Sequence, residues 1–178
     1  RVRVIHNQNK FPNSLGLFYS AITYYLGWQH HCDEGIIMGL APYGNADAKI
    51  KNSKKTFIEI FREIISTDNN DPLKIKIDLD WIDYHKKKDT WLSKKFFKCF
   101  GKKRLHDQSI TKKHKDIAAA LQLRLEEIVI MQLKYLKKRH NIKYLCLSGG
   151  VGLNCSLNGK IVTEKIFKEI FIQPASGD

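Results

Sequence analysis

The sequence predicts an α/β fold in which helices pack against a parallel sheet, and three features indicate it. Residues 144 to 147 form a short apolar run typical of a buried strand, and two adjacent glycines follow it directly. A helical pattern then covers residues 151 to 164, and a second strand is predicted at residues 170 to 172. The order strand, glycine loop, helix, strand is typical of a βαβ unit. Residues 116 to 139, just before this unit, carry the clearest helical pattern in the chain.

The N-terminal part predicts one strand, one core helix and a constrained loop. Residues 1 to 5 alternate apolar and polar side chains like a short strand. A helix is predicted to begin near Ser14, because serine is a good N-cap residue, and apolar side chains recur at helical spacing from residue 15 to 26. Gly27 stands where helices often end. Residues 33 to 44 contain three glycines and a proline around an apolar centre, which predicts a constrained loop with a short helix.

Residues 49 to 115 are predicted to form a mostly helical, basic surface insertion between two core parts, residues 1 to 48 and 116 to 178. This segment holds 19 lysines and arginines against 9 aspartates and glutamates, so it carries most of the net charge of +13. One amphipathic helix is predicted over residues 55 to 65. The long helix after the insertion is predicted to begin at Asp116 as its cap.

The aromatic side chains of the insertion allow two interpretations. They could stack on nucleic acid bases between the lysines, or they could pack inward from amphipathic helices, which we favour. The residues are Trp81, Tyr84, Trp91, Phe96, Phe97 and Phe100. We therefore do not expect nucleic acid as a partner.

The cysteine pattern and the hydropathy indicate a reduced protein of the cytoplasm. The four cysteines show neither the paired spacing of a redox motif nor that of a zinc finger. No apolar stretch approaches the roughly 18 residues of a membrane span, and the N-terminus lacks a signal-peptide pattern. The chain begins without methionine and stops just after a loop-like Pro-Ala-Ser-Gly run, so we interpret it as a fragment of a larger protein.

Gly149 and Gly150 raise the question of phosphate binding. Glycines at the end of a parallel strand let backbone N–H groups approach an anion, and the N-terminus of the following helix adds a partial positive charge. The loop matches neither the P-loop pattern nor the dinucleotide-binding pattern. Asn154 lies on the first turn of the helix, where its amide either reaches a ligand or caps the helix. The residues alone leave a phosphate site and a tight turn both open.

Four stretches of the chain occur in the order of one known enzyme family. They are PNSLGLFYSAITYYLGW, MGLAPYG, HKDIAAALQLRLEEIV, and SGGVGLNCSLNGK followed by FIQPASGD. They resemble the ATP-dependent O-carbamoyltransferases, which carbamoylate nodulation factors, cephalosporins and aminoglycosides such as tobramycin. The resemblance implies that the chain is the second half of a ribonuclease-H-like, actin-like ATPase domain, similar to that of the tRNA threonylcarbamoyl transferases. It also implies a missing N-terminal half-domain and a separate adenylate-forming domain in the same protein.

The resemblance implies a reaction and a set of site residues. The adenylate-forming domain makes carbamoyl adenylate from carbamoyl phosphate and ATP, and the catalytic domain moves the carbamoyl group to a hydroxyl of a sugar or antibiotic-like acceptor with the help of bound iron(II). Gly149, Gly150 and Asn154 match residues that hold the phosphate and sugar region of the adenylate. Asp178 matches the aspartate that ligates the metal, and without the family match it reads as a solvated loop residue.

Further residues of the first helix and the following loop also match the nucleotide site of the family. Ser14 and Gly16 lie where related domains approach the nucleotide. Glu34 and Gly35 match positions for ribose contact and close approach, and a helix cap and a bend are their alternative roles.

Departures from the family pattern limit what this chain can do alone. Asn13 stands where the family commonly has histidine, and Ile36 stands where lysine is frequent. The paired histidines that complete the metal site of the family would precede Arg1, so the chain alone is expected to be inactive.

Residues 30 to 34 look like a metal cluster, but sequence neighbours do not readily converge on one ion. Two alternative functions stay open, a basic nucleic-acid-binding module that uses residues 49 to 115 and a sugar-kinase-like phosphotransferase of the same fold.

Overall fold

The computed structural model describes residues 9 to 51, 53 to 87 and 90 to 177, and these ranges hold six α-helices and four β-strands. In chain order the elements are α1 (Leu15–Tyr25), α2 (Glu34–Leu40), a first 3₁₀ turn (Ala41–Tyr43), α3 (Phe57–Ile64), β1 (Ile65–Thr67), β2 (Ile75–Ile77), α4 (Lys94–Phe100), α5 (Lys112–His140), β3 (Tyr144–Leu147), a second 3₁₀ turn (Gly150–Leu153), α6 (Cys155–Thr163) and β4 (Glu169–Ile172). The chain is therefore an α/β protein, as predicted. The strand predicted at residues 1 to 5 lies outside the described residues.

The predicted βαβ unit is present at the C-terminal end of the chain. Strands β3 and β4 pair in parallel, with Leu145 opposite Ile170. The connection contains both the second 3₁₀ turn and α6, because Asn154 adopts an extended conformation between them. The prediction that β3 is buried was wrong: Tyr144 is 57% exposed. Only alternate side chains of β3 and β4 are half-buried, since the described part of this sheet has two strands and packs on helices through one face.

Helix α1 confirms its predicted start and supplies the centre of the core. The Ser14 hydroxyl accepts a hydrogen bond from the backbone N–H of Leu17, which satisfies one of the free donors at the start of the helix. Phe18, Ile22 and Tyr25 are fully buried and pack in one apolar cluster with side chains of α3, α4 and α5. Burying each such side chain contributes on the order of 2 kcal/mol to the hydrophobic stabilisation.

The segment from residue 49 to 115 is not mostly helical, which corrects the prediction. Within its described residues, α3 has 8 residues and α4 has 7, and the antiparallel pair β1 and β2 lies between them. Helix α3 ends at Ile64 because Ile65 turns directly into strand β1, and the turns beyond it are rich in Asp and Asn. Gly101 ends α4 with a positive φ of 82°. The segment joins the core, because the rings of Phe96 and Tyr25 lie 5.1 Å apart between centroids.

The aromatic side chains of this segment pack inward, as the favoured interpretation expected. Trp81, Phe96 and Phe100 are buried in the common core, and Tyr84, Trp91 and Phe97 are half-buried against it. Rings that face the core do not present a stacking surface to nucleic acid bases.

Helix α5 is longer than predicted, because it begins at Lys112 after Thr111 and not at Asp116. The backbone N–H of Thr111 donates to Nδ1 of His114, 3.1 Å away, which closes the first turn. The Asp116 carboxylate has a different role from the predicted cap. It accepts from the backbone N–H of Asn45 at 2.8 Å and so ties α5 to the chain after the first 3₁₀ turn.

One ion cluster joins α3 to α5 and gives the fold a pH dependence. Glu127 accepts hydrogen bonds from Arg62 and, at 2.8 Å, from Arg124. Burial alone would raise the pKa of the Glu127 carboxyl, but the two guanidinium groups together lower it below its ordinary value. A carboxyl with a lowered pKa in the folded state stabilises the fold above its unfolded pKa, and this contribution is lost as the pH falls through the folded pKa.

We expect Glu127→Gln to lower the free energy of unfolding by about 1 kcal/mol at pH 7. The difference in free energy of unfolding between the variant and the wild type should disappear below about pH 4, because the wild-type carboxyl is then increasingly protonated. Thermal unfolding at a series of pH values measures both the difference at pH 7 and its loss in acid. Glu169→Gln, at an exposed position of strand β4, is the matched control and should stay close to the wild type throughout. A Glu127→Gln gap that is the same in acid as at neutral pH would contradict this assignment.

Candidate active site

A cavity of about 930 Å³ opens where α1, α2 and the glycine loop meet. Six of the seven residues that the family resemblance assigns to the nucleotide line this cavity, although they come from three separate stretches of the chain. They are Ser14, Gly16, Glu34, Gly35, Gly150 and Asn154. The seventh residue, Gly149, precedes Gly150 in the sequence and does not itself line the cavity. Asp178, the predicted metal ligand, lies outside the described residues, and its neighbour Gly177 lines the cavity.

The glycine loop has a backbone that favours glycine and an open outer surface. Gly149 has a φ of 96°, a region that side-chain-bearing residues rarely adopt. The second 3₁₀ turn begins at Gly150, and the N–H of Gly152 donates to the carbonyl of Gly149 at 2.7 Å. A Cβ added at Gly149 or Gly150 would meet no atom within 4 Å. The first N–H groups of this turn can therefore be approached by a ligand.

The N-terminus of α1 packs directly against this loop. A Cβ added at Gly16 would lie 3.6 Å from Cγ2 of Val151 and 3.8 Å from Oγ of Ser14, which is ordinary contact distance and shows how close the two segments lie. The Ser14 hydroxyl caps α1 as an acceptor and keeps its own O–H as a donor. The partial positive charge at the start of α1 thus lies beside the backbone donors of the loop.

Asn154 caps helix α6, which confirms one of the two roles that its sequence position suggests. Its Oδ1 accepts from the backbone N–H of Leu157 at 2.9 Å. The same side chain forms a reciprocal pair with Gln122 of α5, with distances of 2.9 Å and 3.0 Å. Asn154 still lines the cavity, so capping does not remove its amide from the wall.

Glu34 is the first residue of α2, and its carboxylate is already engaged. One oxygen accepts from the Ser20 hydroxyl at 2.5 Å and from the backbone N–H of His31 at 2.7 Å. His31 has a positive φ of 63°, and this hydrogen bond helps to hold its backbone against the cavity. Gly35 follows in the first turn of α2 with open space around its Cα.

Tyr19 lines the cavity and Gln122 binds to it from behind, and sequence reasoning missed both. The buried Tyr19 hydroxyl donates to Oε1 of Gln122 at 3.0 Å, and Tyr19 also lines the cavity. Burial raises the pKa of Tyr19 well above its ordinary value, and the charges of Glu34 and Glu126 add to this. The available signal was the placement of Gln122 and Glu126 one turn apart on α5 beside apolar positions.

Among the described residues, no group of three or more His, Cys, Asp and Glu side chains is arranged to hold a metal ion. The ring of His30 packs against Trp91 at 4.5 Å between centroids, and Asp33 accepts from the backbone N–H of Gln29. These side chains serve local packing and turns, so residues 30 to 34 do not fit a metal centre. The described residues also do not provide the iron site that the resemblance implies.

Within the described ranges, none of the helices has the length and hydropathy needed to cross a bilayer.

Comparison with known proteins identifies the family. The family described as Carbamoyltransferase N-terminus matches residues 1 to 178. An uncharacterized protein of Synechocystis is 35% identical over 174 residues, which cover 97% of this chain and 26% of that protein. The nodulation protein NolO of Bradyrhizobium diazoefficiens is 35% identical over 177 residues, which cover 98% of this chain and 28% of that protein. The nodulation protein NolNO of Sinorhizobium fredii is 36% identical over 170 residues, which cover 94% of this chain and 22% of that protein.

The chain thus spans about a quarter of the length of the relatives that it matches. The family match covers the whole chain, and the similarity to each relative extends over nearly all of it. The family resemblance of the four sequence stretches is confirmed, and the chain belongs to the carbamoyltransferase family.

Proposed function

We propose that the full-length protein moves a carbamoyl group from carbamoyl adenylate to a hydroxyl of a sugar or antibiotic-like acceptor, and that this cavity binds the adenylate. ATP and carbamoyl phosphate are the sources of the adenylate, and a ribonuclease-H-like domain completed by chain outside these 178 residues encloses it. The observation that supports the proposal is the convergence of six family-matched residues on one cavity. Iron(II) is part of the proposal only through the family resemblance.

The cavity suits the charge that develops during such a transfer. The acceptor oxygen forms a bond to the carbamoyl carbon, the bond between this carbon and the phosphate oxygen breaks, and AMP leaves with the electron pair. The acceptor hydroxyl gives up its proton in the same reaction. Negative charge therefore accumulates on the leaving phosphate, where preorganised donors are most effective. The free N–H groups at Gly150, the Ser14 hydroxyl and the starts of α1 and α6 are of this kind.

Tyr19 and Glu34 are suited to holding the adenylate and not to acting as the base. Burial keeps Tyr19 protonated at neutral pH, so its hydroxyl acts as a hydrogen-bond donor. One oxygen of the Glu34 carboxylate already accepts from the Ser20 hydroxyl and from the His31 backbone. The proton of the acceptor is therefore expected to leave through a group outside this set.

The alternative functions have less support. A nucleic-acid-binding module would need exposed rings between the lysines of residues 49 to 115, and Trp81, Phe96 and Phe100 are buried. A sugar-kinase-like phosphotransferase would use the same cavity, but it would not depend on carbamoyl phosphate.

An assay of the full-length protein tests the proposal. The protein is purified without oxygen, supplied with iron(II), ATP and carbamoyl phosphate, and offered a panel of sugar and antibiotic hydroxyl acceptors. We expect pyrophosphate release that depends on carbamoyl phosphate, and an acceptor whose mass increases by one carbamoyl group. Phosphoryl transfer to the acceptor without carbamoyl phosphate would instead establish the kinase alternative. Oligonucleotide binding with a steep salt dependence, in the absence of any transfer, would establish the nucleic-acid alternative.

A further inference from the structure

The orientation of the Asn154 amide is fixed by helix α6. The backbone N–H of Leu157 can only donate, so the atom that faces it at 2.9 Å must be the carbonyl oxygen Oδ1. Nε2 of Gln122 donates to the same oxygen at 3.0 Å, so both lone pairs of Oδ1 are used. Nδ2 of Asn154 gives one hydrogen to Oε1 of Gln122 at 2.9 Å. No acceptor of Asn154 is left for the cavity, and the donor it offers there is its second N–H, which also interacts with the Tyr19 hydroxyl in the same wall.

Gln122 is the group that locks this arrangement. It is 5% exposed, and each of its hydrogen-bonding positions has a partner. Oε1 accepts from the Tyr19 hydroxyl and from Asn154, while Nε2 donates to Asn154 and to Oε1 of Glu126 at 2.7 Å. A flipped Gln122 amide would place its oxygen against the Glu126 carboxylate and its NH₂ against the NH₂ of Asn154. Lys160 holds Glu126 from the other side at 3.1 Å, so the network spans α1, α5 and α6.

We infer that Gln122 is a positioning residue of the carbamoyl adenylate site. It holds Asn154 so that this part of the cavity wall presents one N–H donor and no acceptor, which selects a ligand oxygen that accepts a hydrogen bond. A phosphate oxygen meets this requirement best, because the starts of α1 and α6 also favour negative charge there. The inference rests on the proposed function, since it assigns Gln122 a role toward the adenylate.

The test is a binding measurement on the full-length protein with AMP and with adenosine. Gln122→Met keeps an unbranched side chain of similar length and removes all four hydrogen bonds. We expect it to weaken AMP binding about tenfold in isothermal titration calorimetry, and to leave adenosine binding close to the wild type. Gln132→Met is the matched control on the same helix: Gln132 donates to backbone carbonyls of Pro72 and Leu73, and its loss should not change AMP affinity.

A double-mutant cycle separates positioning from general support of the fold. If Gln122 acts through Asn154, then Gln122→Met should add almost nothing to the AMP defect of Asn154→Ala. A residue that merely supports the fold would add its own loss. Melting temperatures of the three variants check that each one folds.

Gln122→Glu supplies a second readout through pH. An ionised carboxylate at position 122 has no donor for Asn154 and repels Glu126, whereas a protonated carboxyl restores one donor. Around it stand Tyr19 of α1, Glu126 of α5, Lys160 of α6 and, through Tyr19, Glu34 of α2. The AMP affinity of this variant relative to the wild type should therefore rise as the pH falls, while the gap for Gln122→Met stays constant.

The outcomes distinguish the inference from the proposed function. A wild-type protein that does not bind AMP would contradict the proposed function, and the inference with it. If the wild type binds AMP and Asn154→Ala weakens that binding, three results would each overturn the role of Gln122 alone. They are wild-type AMP affinity in Gln122→Met, additive losses of AMP affinity in the double mutant, and a loss of adenosine affinity in Gln122→Met as large as its loss of AMP affinity. If Gln122→Met does not fold, the pH dependence of Gln122→Glu decides in its place.

Discussion

Replacement of Gly44 by alanine is expected to lower the free energy of unfolding by about 3 kcal/mol or more. Gly44 ends the first 3₁₀ turn and lies against the first turn of α5. A Cβ placed there would overlap the carbonyl oxygen of Lys115 and lie 2.7 Å from the backbone nitrogen of Asp116. Both are backbone atoms of a helix, so neither can move away as a side chain would.

The cost at Gly44 is steric and not conformational. Its φ of −110° and ψ of 174° are open to any residue. The clash would separate α5 from the preceding loop and break the hydrogen bond from the Asn45 backbone to the Asp116 carboxylate. Native-state hydrogen exchange in the full-length protein should therefore show faster exchange at Asn45 and along the first turns of α5.

Gly39→Ala is the matched control for Gly44→Ala. Gly39 lies in α2, and a Cβ there would meet no atom within 4 Å. Alanine is the better helix former, so this variant should be more stable than the wild type by about 0.5 to 1 kcal/mol. Equal effects of the two substitutions in thermal unfolding would contradict the steric explanation.

Arg104→Met is the second substitution with a large expected effect, a loss of about 3 kcal/mol in the free energy of unfolding. The Arg104 side chain is 3% exposed, and its guanidinium binds backbone carbonyls. Its Nε donates to Leu26 at 2.6 Å, and one terminal nitrogen donates to His106 at 3.0 Å and also to Gln108. The guanidinium carbon also lies 4.2 Å from the ring centroid of Trp28.

Methionine preserves part of the packing at position 104 but leaves the buried carbonyl of Leu26 and the partly buried carbonyls of His106 and Gln108 without this donor. Arg104→Lys should restore little, because an ammonium group cannot reproduce the planar fork that reaches several carbonyls at once. Arg139→Met is the control: Arg139 lies in the last turn of α5, where its guanidinium donates to the hydroxyl of Tyr135, and its loss should change stability by less than about 0.5 kcal/mol. Denaturant unfolding of the three variants measures the difference, and an Arg104→Lys variant as stable as the wild type would refute the role of Arg104 in binding these carbonyls.

Elements with strong local signals were predictable from the sequence. Helix α1 begins after the serine that was expected to cap it, and β3 and β4 pair in parallel around the glycine loop. Local chemistry decides these features, because a hydroxyl cap and a glycine after a strand act within a few residues.

Features that depend on distant contacts could not be predicted. Asp116 has the sequence context of a cap of α5, but its carboxylate binds the backbone of Asn45, which is 71 positions away in sequence. The segment from residue 49 to 115 has the composition of a helical surface unit. Its local sequence does not show that its rings pack against Tyr25 of α1, and this long-range packing joins the segment to the core. The short strands β1 and β2 hold only three residues each, too few for a clear alternation.

The site was predictable in composition but not in detail. The family resemblance of short motifs at the glycine loop and at the helix starts named six of the residues that line the cavity, whereas the residues alone left the site open. Gln122 was missed because it binds its partners from the middle of a long helix, where no motif marks it. The amide pair it forms with Asn154 exists only through the packing of α5 against α6.

The most direct test of the central claim is a crystal structure of the full-length protein with ATP and carbamoyl phosphate. We expect the adenylate in this cavity, with its phosphate about 3 Å from the backbone nitrogen of Gly150 and from Nδ2 of Asn154. A nucleotide bound elsewhere in this protein, with the cavity between α1, α2 and the glycine loop left to solvent, would contradict the proposed function.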